Sequence, residues 1–120
     1  MMIFMNEILL IKKEDVIKRE ISESHYVNNL LTRNSSDNVS VGISEASNHS
    51  ETTRNIRSDR VYYVLEGKLI VKKYNKEFDV NVGDLVFIPK NTEYYFEGTF
   101  KAVVINSPAF NTEDEKITEL

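Results

Sequence analysis

Arginine and aromatic side chains recur at two-residue spacing in the second half of this 120-residue chain. Arg60 and Tyr62 form one such pair, and Tyr94 and Phe96 form another. Side chains two residues apart on a β-strand point to the same face, so each pair can line one wall. A guanidinium binds carboxylate or phosphate through two parallel hydrogen bonds, and aromatic walls suit a sugar or a flat ring. The pattern therefore favours a pocket for a small anionic or sugar-like ligand.

Side chains that commonly bind metal ions are few. The chain has no cysteine, and its two histidines are His25 and His49. His49 lies in a polar stretch, where it could form a metal site with Glu45 or Glu51 or be an ordinary solvent-facing histidine. His25 lies among strand-forming residues, and nothing indicates a special role for it. From these residues we expect no metal site and no cofactor.

Charge and apolar content narrow the class of protein. Acidic residues outnumber basic ones by 19 to 15, which gives a formal net charge of -4, and no basic stripe indicates a nucleic-acid partner. Hydrophobic residues make up 41% of the chain, which excludes a disordered class. No apolar run approaches the roughly 18 residues of a membrane helix, and the first residues lack the pattern of a signal peptide. We therefore expect a cytoplasmic protein with no membrane partner.

The elements that must position the candidate site are short strands. Runs rich in β-branched and aromatic residues alternate with turn residues at intervals of about 8–12 residues, which is typical of an all-β sandwich or barrel. The predicted strands are 7–11, 25–32, 39–45, 61–65, 69–71, 78–82, 85–88, 94–96 and 102–105. Turns are predicted at 66–67, 83–84 and 97–99, and the polar segment 46–55 is predicted to be a loop.

Two phrases in the second half carry a resemblance to a known family. They are YVLEG, which ends at Gly67, and GDLVFIPK, which begins at Gly83 and contains Pro89. Residues 59–110 resemble the cupin superfamily, small jelly-roll barrels of the RmlC-like type. The same phrases resemble the small cupins of ethanolamine-utilization clusters, which lack the usual histidine metal set. The resemblance implies an all-β, cupin-like double-stranded β-helix barrel.

The resemblance also implies where a metal would be bound in a typical cupin. The first motif, G-x5-H-x-H-x3,4-E-x6-G, places its glutamate on Arg60, and the second motif places its histidine on Tyr94. With the shorter or the longer spacer, the two histidines of the first motif fall on Arg54 and Ile56 or on Thr53 and Asn55. A guanidinium cannot coordinate a cation, so the resemblance implies a metal-free cupin. It also places Arg54, Arg60 and Tyr94 at the cavity.

Three functions remain open at this point. In the first, Arg54 and Arg60 anchor a carboxylate, phosphate or sugar ligand, and Tyr62, Tyr94 and Phe96 form the walls. In the second, the protein is an isomerase or epimerase acting on a sugar or sugar nucleotide, with Tyr94 as a catalytic acid whose pKa is lowered by Arg60.

The third function is an interaction or regulatory module with a filled barrel and no ligand. Arg60 would then be paired with Asp59, Glu45 or Glu93, and the aromatic side chains would simply fill the core. For the second function, Glu45 and Glu93 are the candidate bases.

We expect a single domain over residues 1–120, with an N-terminal strand and arm at 1–20, the barrel at 21–107 and a solvated acidic tail at 108–120. The strands around residues 60–65 and 102–105 are apolar on both faces. An antiparallel sheet with one solvated face should alternate polar and apolar residues. Either the N-terminal segment or a second subunit must therefore cover the outer face, and we expect a homodimer.

Overall fold

The computed structural model describes residues 7–119, and nearly all of the regular structure is β. The strands are β1 (Ile17–Ser22), β2 (His25–Leu31), β3 (Ser40–Asn55), β4 (Asp59–Lys73), β5 (Lys76–Asn81), β6 (Leu85–Ile88), β7 (Tyr94–Ser107) and β8 (Glu115–Glu119). Two single-turn 3-10 helices, Lys13–Asp15 and Thr112–Asp114, precede β1 and β8. Among the described residues, no helix is long and apolar enough to cross a membrane.

The strands form one antiparallel sheet in the order β1-β2-β3-β7-β4-β5. β6 pairs with β4, and β8 pairs with β3, so the two shortest additions lie outside this path. The three long strands, β3, β7 and β4, are adjacent and carry the interior of the barrel. Buried apolar side chains, including Val64, Leu69 and Ala102, form the core. The prediction of an all-β jelly-roll barrel is confirmed.

The polar segment 46–55, predicted to be a loop, is the second half of β3. His49, Glu51, Thr53 and Asn55 are buried and alternate with more exposed neighbours. The sequence did not indicate a strand here because both faces of this segment are polar. Strands are usually recognised by apolar inward residues that alternate with polar outward residues.

Two of the predicted turns are not turns in the part of the chain that the structure describes. Gly67 and Gly98 allow the strands to continue through these positions. Residues 66–67 lie within β4, and 97–99 lie within β7. Gly67 has a φ of 74°, and a Cβ there would collide with the carbonyl of Thr99 on the neighbouring strand. Long strands can therefore bend past one another at this point without breaking the ladder. The turn predicted at Gly83-Asp84 is present.

The two ends of the chain differ from the expectation. Residues 7–11, predicted to be a strand, have no regular structure, and the first strand is β1, at the edge of the sheet. The C-terminal residues do not form a wholly solvated tail, because β8 pairs with β3 and places Glu115 beside Asn55. The acidic side chain of Glu115 thereby enters the barrel.

Candidate functional site

A cavity of about 350 Å³ opens inside the barrel. Its lining includes Arg19, His25, Ser44, Glu51, Tyr62 and Phe96. Ligand pockets for small molecules have volumes of about 300–1,000 Å³, so this cavity lies at the lower end of that range. The interior is therefore open, and the aromatic side chains do not fill it.

The Arg60 guanidinium makes four hydrogen bonds to side chains inside the barrel. Its Nη1 and Nη2 donate to the two carboxylate oxygens of Glu115 over 2.9 and 2.6 Å. Its Nε donates to Asn106 Oδ1 over 2.9 Å, and Nη1 also donates to the Tyr94 hydroxyl over 2.9 Å. The partner carboxylate is thus Glu115 on β8, and not Asp59, Glu45 or Glu93. A guanidinium used in this way has little capacity left to anchor a ligand.

The Glu115 carboxylate also accepts four hydrogen bonds in total, two of them from Arg60. Its carboxylate also accepts from the Thr53 hydroxyl over 2.5 Å and from the Asn55 amide over 2.9 Å. Burial alone would raise the pKa of Glu115, but the Arg60 charge and these hydrogen bonds lower it to about 2. The pair is therefore fully ionised near neutral pH.

This ion pair occupies the place where the cupin motifs put metal ligands. Thr53 is fully buried and Asn55 nearly so, whereas Arg54 and Ile56 are exposed. The structure thus selects the longer spacer of the first motif. The threonine and the asparagine hold the carboxylate of the pair. Arg54, predicted to line the cavity, lies on the outer face of β3, because side chains alternate along a strand.

The predicted aromatic residues are brought together beside the ion pair. The hydroxyls of Tyr62 and Tyr94 share a hydrogen bond of 2.8 Å, and the ring of Phe96 lies about 6 Å from both. Tyr62 and Phe96 line the cavity. Burial raises the pKa of Tyr94 although Arg60 opposes it, so the lowered pKa that a proton-transfer role was expected to use is not found.

Arg19 is a cavity residue that sequence reasoning missed. It lies on β1, faces the cavity and makes no hydrogen bond or ion pair with any residue that the structure describes. Its guanidinium is 4.6 Å from the ring centre of Phe110. Burial lowers the pKa of Arg19, but a guanidinium remains charged at any working pH. The available signal was its two-residue spacing from Ile21, which places the two side chains on the same face of a strand.

A second polar cluster was also missed as a group. His25, His49 and Glu51 are all buried. Glu51 Oε1 lies 2.7 Å from His49 Nε2 and 3.4 Å from His25 Nδ1, and the two imidazole centres are 4.8 Å apart. His49 is thus not a solvent-facing histidine, and its carboxylate neighbour is Glu51. His25 joins it because β2 and β3 are adjacent.

Comparison with known sequences assigns the chain to a family. The model for the family described as ethanolamine utilisation protein EutQ matches residues 5–109. The chain belongs to the EutQ family. This EutQ-family protein is also 32% identical over 66 residues to the uncharacterized protein MJ1618 of Methanocaldococcus jannaschii. That match covers 52% of the chain and 53% of the relative, so it spans about half the length of either protein.

Comparison with solved structures confirms the cupin barrel. Streptomyces Pac13, a nucleoside dehydratase, is 20% identical and superposes over 95% of this chain and 93% of its own with a TM-score of 0.81. The EutQ protein of Salmonella typhimurium is 25% identical over 72% of this chain and 71% of its own, with a TM-score of 0.65. Ectoine synthase from P. lautus is 11% identical over 92% and 90%, with a TM-score of 0.77. The resemblance to small cupins of ethanolamine-utilization clusters is thereby confirmed.

Proposed function

We propose that this EutQ-family protein binds a small anionic ligand with a sugar or nucleoside-like ring inside its barrel. The observation that carries the proposal is Arg19, a cation that faces an open cavity and has no hydrogen-bond or ion-pair partner among the described residues. Arg19 is half-buried, and a cation taken partly out of water is stabilised when an anion neutralises it. A carboxylate or phosphate can do so through two parallel hydrogen bonds.

The two cavity arginines have different roles in this proposal. Arg60 is neutralised by Glu115 and fixes the wall of the cavity. Arg19 anchors the anionic group, and the rings of Tyr62 and Phe96 face the uncharged part of the ligand. Arg33 also borders the cavity, but its side chain is exposed, so it can contribute long-range attraction more than a specific contact.

The structural relatives support the ligand class without identifying the ligand. Pac13 structures have been solved with uridine, among them two tyrosine-to-phenylalanine variants and one histidine-to-glutamine variant. A cupin barrel of this shape can therefore hold a nucleoside. In this chain, Arg19 faces the cavity without a hydrogen-bond or ion-pair partner among the described residues, which favours a phosphorylated or carboxylated ligand over a neutral one.

Titration calorimetry with uridine and uridine 5′-monophosphate tests the proposal. We expect the nucleotide to bind at least about tenfold more tightly than the nucleoside, and Arg19→Gln to remove this preference. Arg54→Gln is the matched control, because it removes the same charge from the outer face of the barrel. Equal effects of the two substitutions, or a failure of both compounds and of ribose 5-phosphate to bind, would contradict the proposal.

An isomerase, epimerase or dehydratase acting on such a ligand is the second candidate. The tyrosine pair favours it, because Tyr62 lines the cavity and its hydroxyl is linked through the Tyr94 hydroxyl to Arg60. Burial raises the pKa of both tyrosines, so they would donate hydrogen bonds to a substrate oxygen and keep their protons. Unchanged turnover in a Tyr62→Phe or Tyr94→Phe variant would count against this candidate.

A further inference from the structure

We propose that His25, His49 and Glu51 form a binding site for a divalent transition-metal ion, away from the position that the cupin motifs assign to a metal. Each residue offers one ligand atom, and these atoms lie within 4.8 Å of one another. All three side chains are buried. Two imidazoles and one carboxylate are a common donor set for zinc, iron and related ions, and they leave coordination positions open.

The outer nitrogen of each imidazole is already held by a serine. His49 Nδ1 shares a hydrogen bond of 2.6 Å with the Ser24 hydroxyl, and His25 Nε2 shares one of 2.8 Å with the Ser44 hydroxyl. Metal-binding histidines characteristically bond through their second nitrogen in this way, which fixes the ring and the tautomer. Without an ion, His49 Nε2 donates to Glu51 Oε1, so Nδ1 accepts from the Ser24 hydroxyl. With an ion bound, the proton would move to Nδ1 and be donated to Ser24, and the inner nitrogens of both histidines would offer their lone pairs to the ion.

One of the two inner nitrogens lacks a hydrogen bond. His25 Nδ1 is buried and makes no hydrogen bond within the described part of the chain. A buried polar atom left without a hydrogen bond is unfavourable, so such atoms are uncommon unless something else satisfies them. The nearby Glu51 carboxylate is 97% buried and needs a positive partner. An ion between the three side chains would satisfy the nitrogen and neutralise the carboxylate.

Binding requires one local change. Metal–ligand distances are about 2.0–2.2 Å, whereas Glu51 Oε1 accepts a hydrogen bond from His49 Nε2 over 2.7 Å in the metal-free protein. The carboxylate must therefore turn aside and exchange this contact for the ion. A rotation of the terminal carboxylate is a soft motion, so the backbone of β3 need not move.

The site differs in place from that of a typical cupin. His49 and Glu51 precede Thr53 and Asn55 by four residues on β3, about 13 Å along the strand. Because His25 and Glu51 line the cavity, an open coordination position would face a bound ligand. The ion could then polarise a ligand oxygen as a Lewis acid. The metal site does not depend on the anionic ligand proposed above, and it can be tested without one.

The test uses tag-free full-length protein, stripped with a chelator and titrated with Zn²⁺ by calorimetry and with Co²⁺ by visible absorption. We expect one ion per chain and a Co²⁺ spectrum with the d–d bands of a low-coordinate site. His25→Gln and Glu51→Gln should each weaken Zn²⁺ binding by about 100-fold or more, since loss of outer partners alone costs 10–100-fold. Glu45→Gln, on the opposite face of the same strand, should leave it unchanged.

Two results would overturn the proposal. One is the absence of stoichiometric Zn²⁺ or Co²⁺ binding by the wild-type protein, which decides the matter even if a variant fails to fold. The other is equal binding by the Glu51→Gln and Glu45→Gln variants. Neither result bears on the Arg19 proposal, because the nucleotide titrations are made on metal-free protein.

Discussion

Arg60 and Glu115 are joined by two parallel hydrogen bonds although 55 residues separate them in the chain. The pair is almost completely buried and ties β4 to β8 across the end of the barrel. Removing one member of a buried pair leaves an uncompensated charge, which typically costs 3–5 kcal/mol. The stability of this barrel should therefore depend strongly on residues near its C-terminus.

We expect Arg60→Ala to lower the free energy of unfolding by about 3 kcal/mol or more, because Glu115 would stay buried without its cation. Urea unfolding followed by circular dichroism measures this change. Arg57→Ala is the control, since Arg57 is largely exposed and its nearest carboxylate oxygen, on Asp114, is 3.8 Å away. An Arg60→Ala protein of normal stability that had lost ligand binding would instead give Arg60 the anchoring role.

The ion pair also predicts an acid limit to stability. Glu115 has a pKa of about 2 in the folded protein, against an ordinary value of 4.5. Its contribution, about 3 kcal/mol, is therefore fully present above the unfolded-state value and is lost as the pH falls from about 4.5 to about 2. Unfolding measured across this range should show a stability slope that is smaller in Glu115→Gln.

The control for that slope is Glu113→Gln, which removes a neighbouring exposed carboxylate. It should retain the acid sensitivity of the wild-type protein. If Glu115→Gln and the wild type lost stability in parallel, other carboxylates would account for the acid limit.

An apolar outer face crosses three strands and supports the expected homodimer. Tyr63 is opposite Leu85 on β6 and Val103 on β7, and Val61 is opposite Phe87 and Ile105. Tyr63 and Phe87 remain 41% and 55% exposed in the single chain. A contiguous patch of this kind is typical of a subunit interface.

We expect the wild-type protein to sediment with twice the mass of one chain and Phe87→Asp to sediment as a monomer, because a charge in a closely packed interface is costly. Analytical ultracentrifugation distinguishes the two masses. Tyr74→Asp is the control, since Tyr74 is almost fully exposed at the turn between β4 and β5. A monomeric wild type would show that this face is not a self-association surface.

Local sequence patterns were sufficient for much of the barrel. The apolar run at β6 and the alternation in β5 predicted strands because β-branched and aromatic residues favour extended backbone, although Leu85 and Phe87 are exposed in the single chain. The same rule failed for the second half of β3, where His49, Glu51 and Thr53 are buried but polar. A polar strand that faces a site cannot be distinguished from a loop by hydrophobicity alone.

The positions of the candidate site residues could be predicted only in part, because burial depends on partners that are distant in the chain. Tyr62 and Phe96 were placed correctly at the cavity by alternation along a strand. Glu115 is separated by 55 residues from the guanidinium that stabilises it, and its acidic neighbours suggested a solvated tail. The length of the motif spacer was uncertain by one residue, and side chains of adjacent strand residues point to opposite faces. The shorter spacer therefore assigned Arg54 to the cavity, whereas Thr53 is the residue that points inward.

The guanidinium of Arg60 has a consequence for how this protein matures. A cation supplied as a metal must be acquired from the cell, and it can be exchanged or removed by chelators. A cation attached to the backbone is present from the moment of synthesis and cannot dissociate. The part of the cavity wall that this pair forms is therefore assembled from the polypeptide alone, whatever the metal supply of the cell.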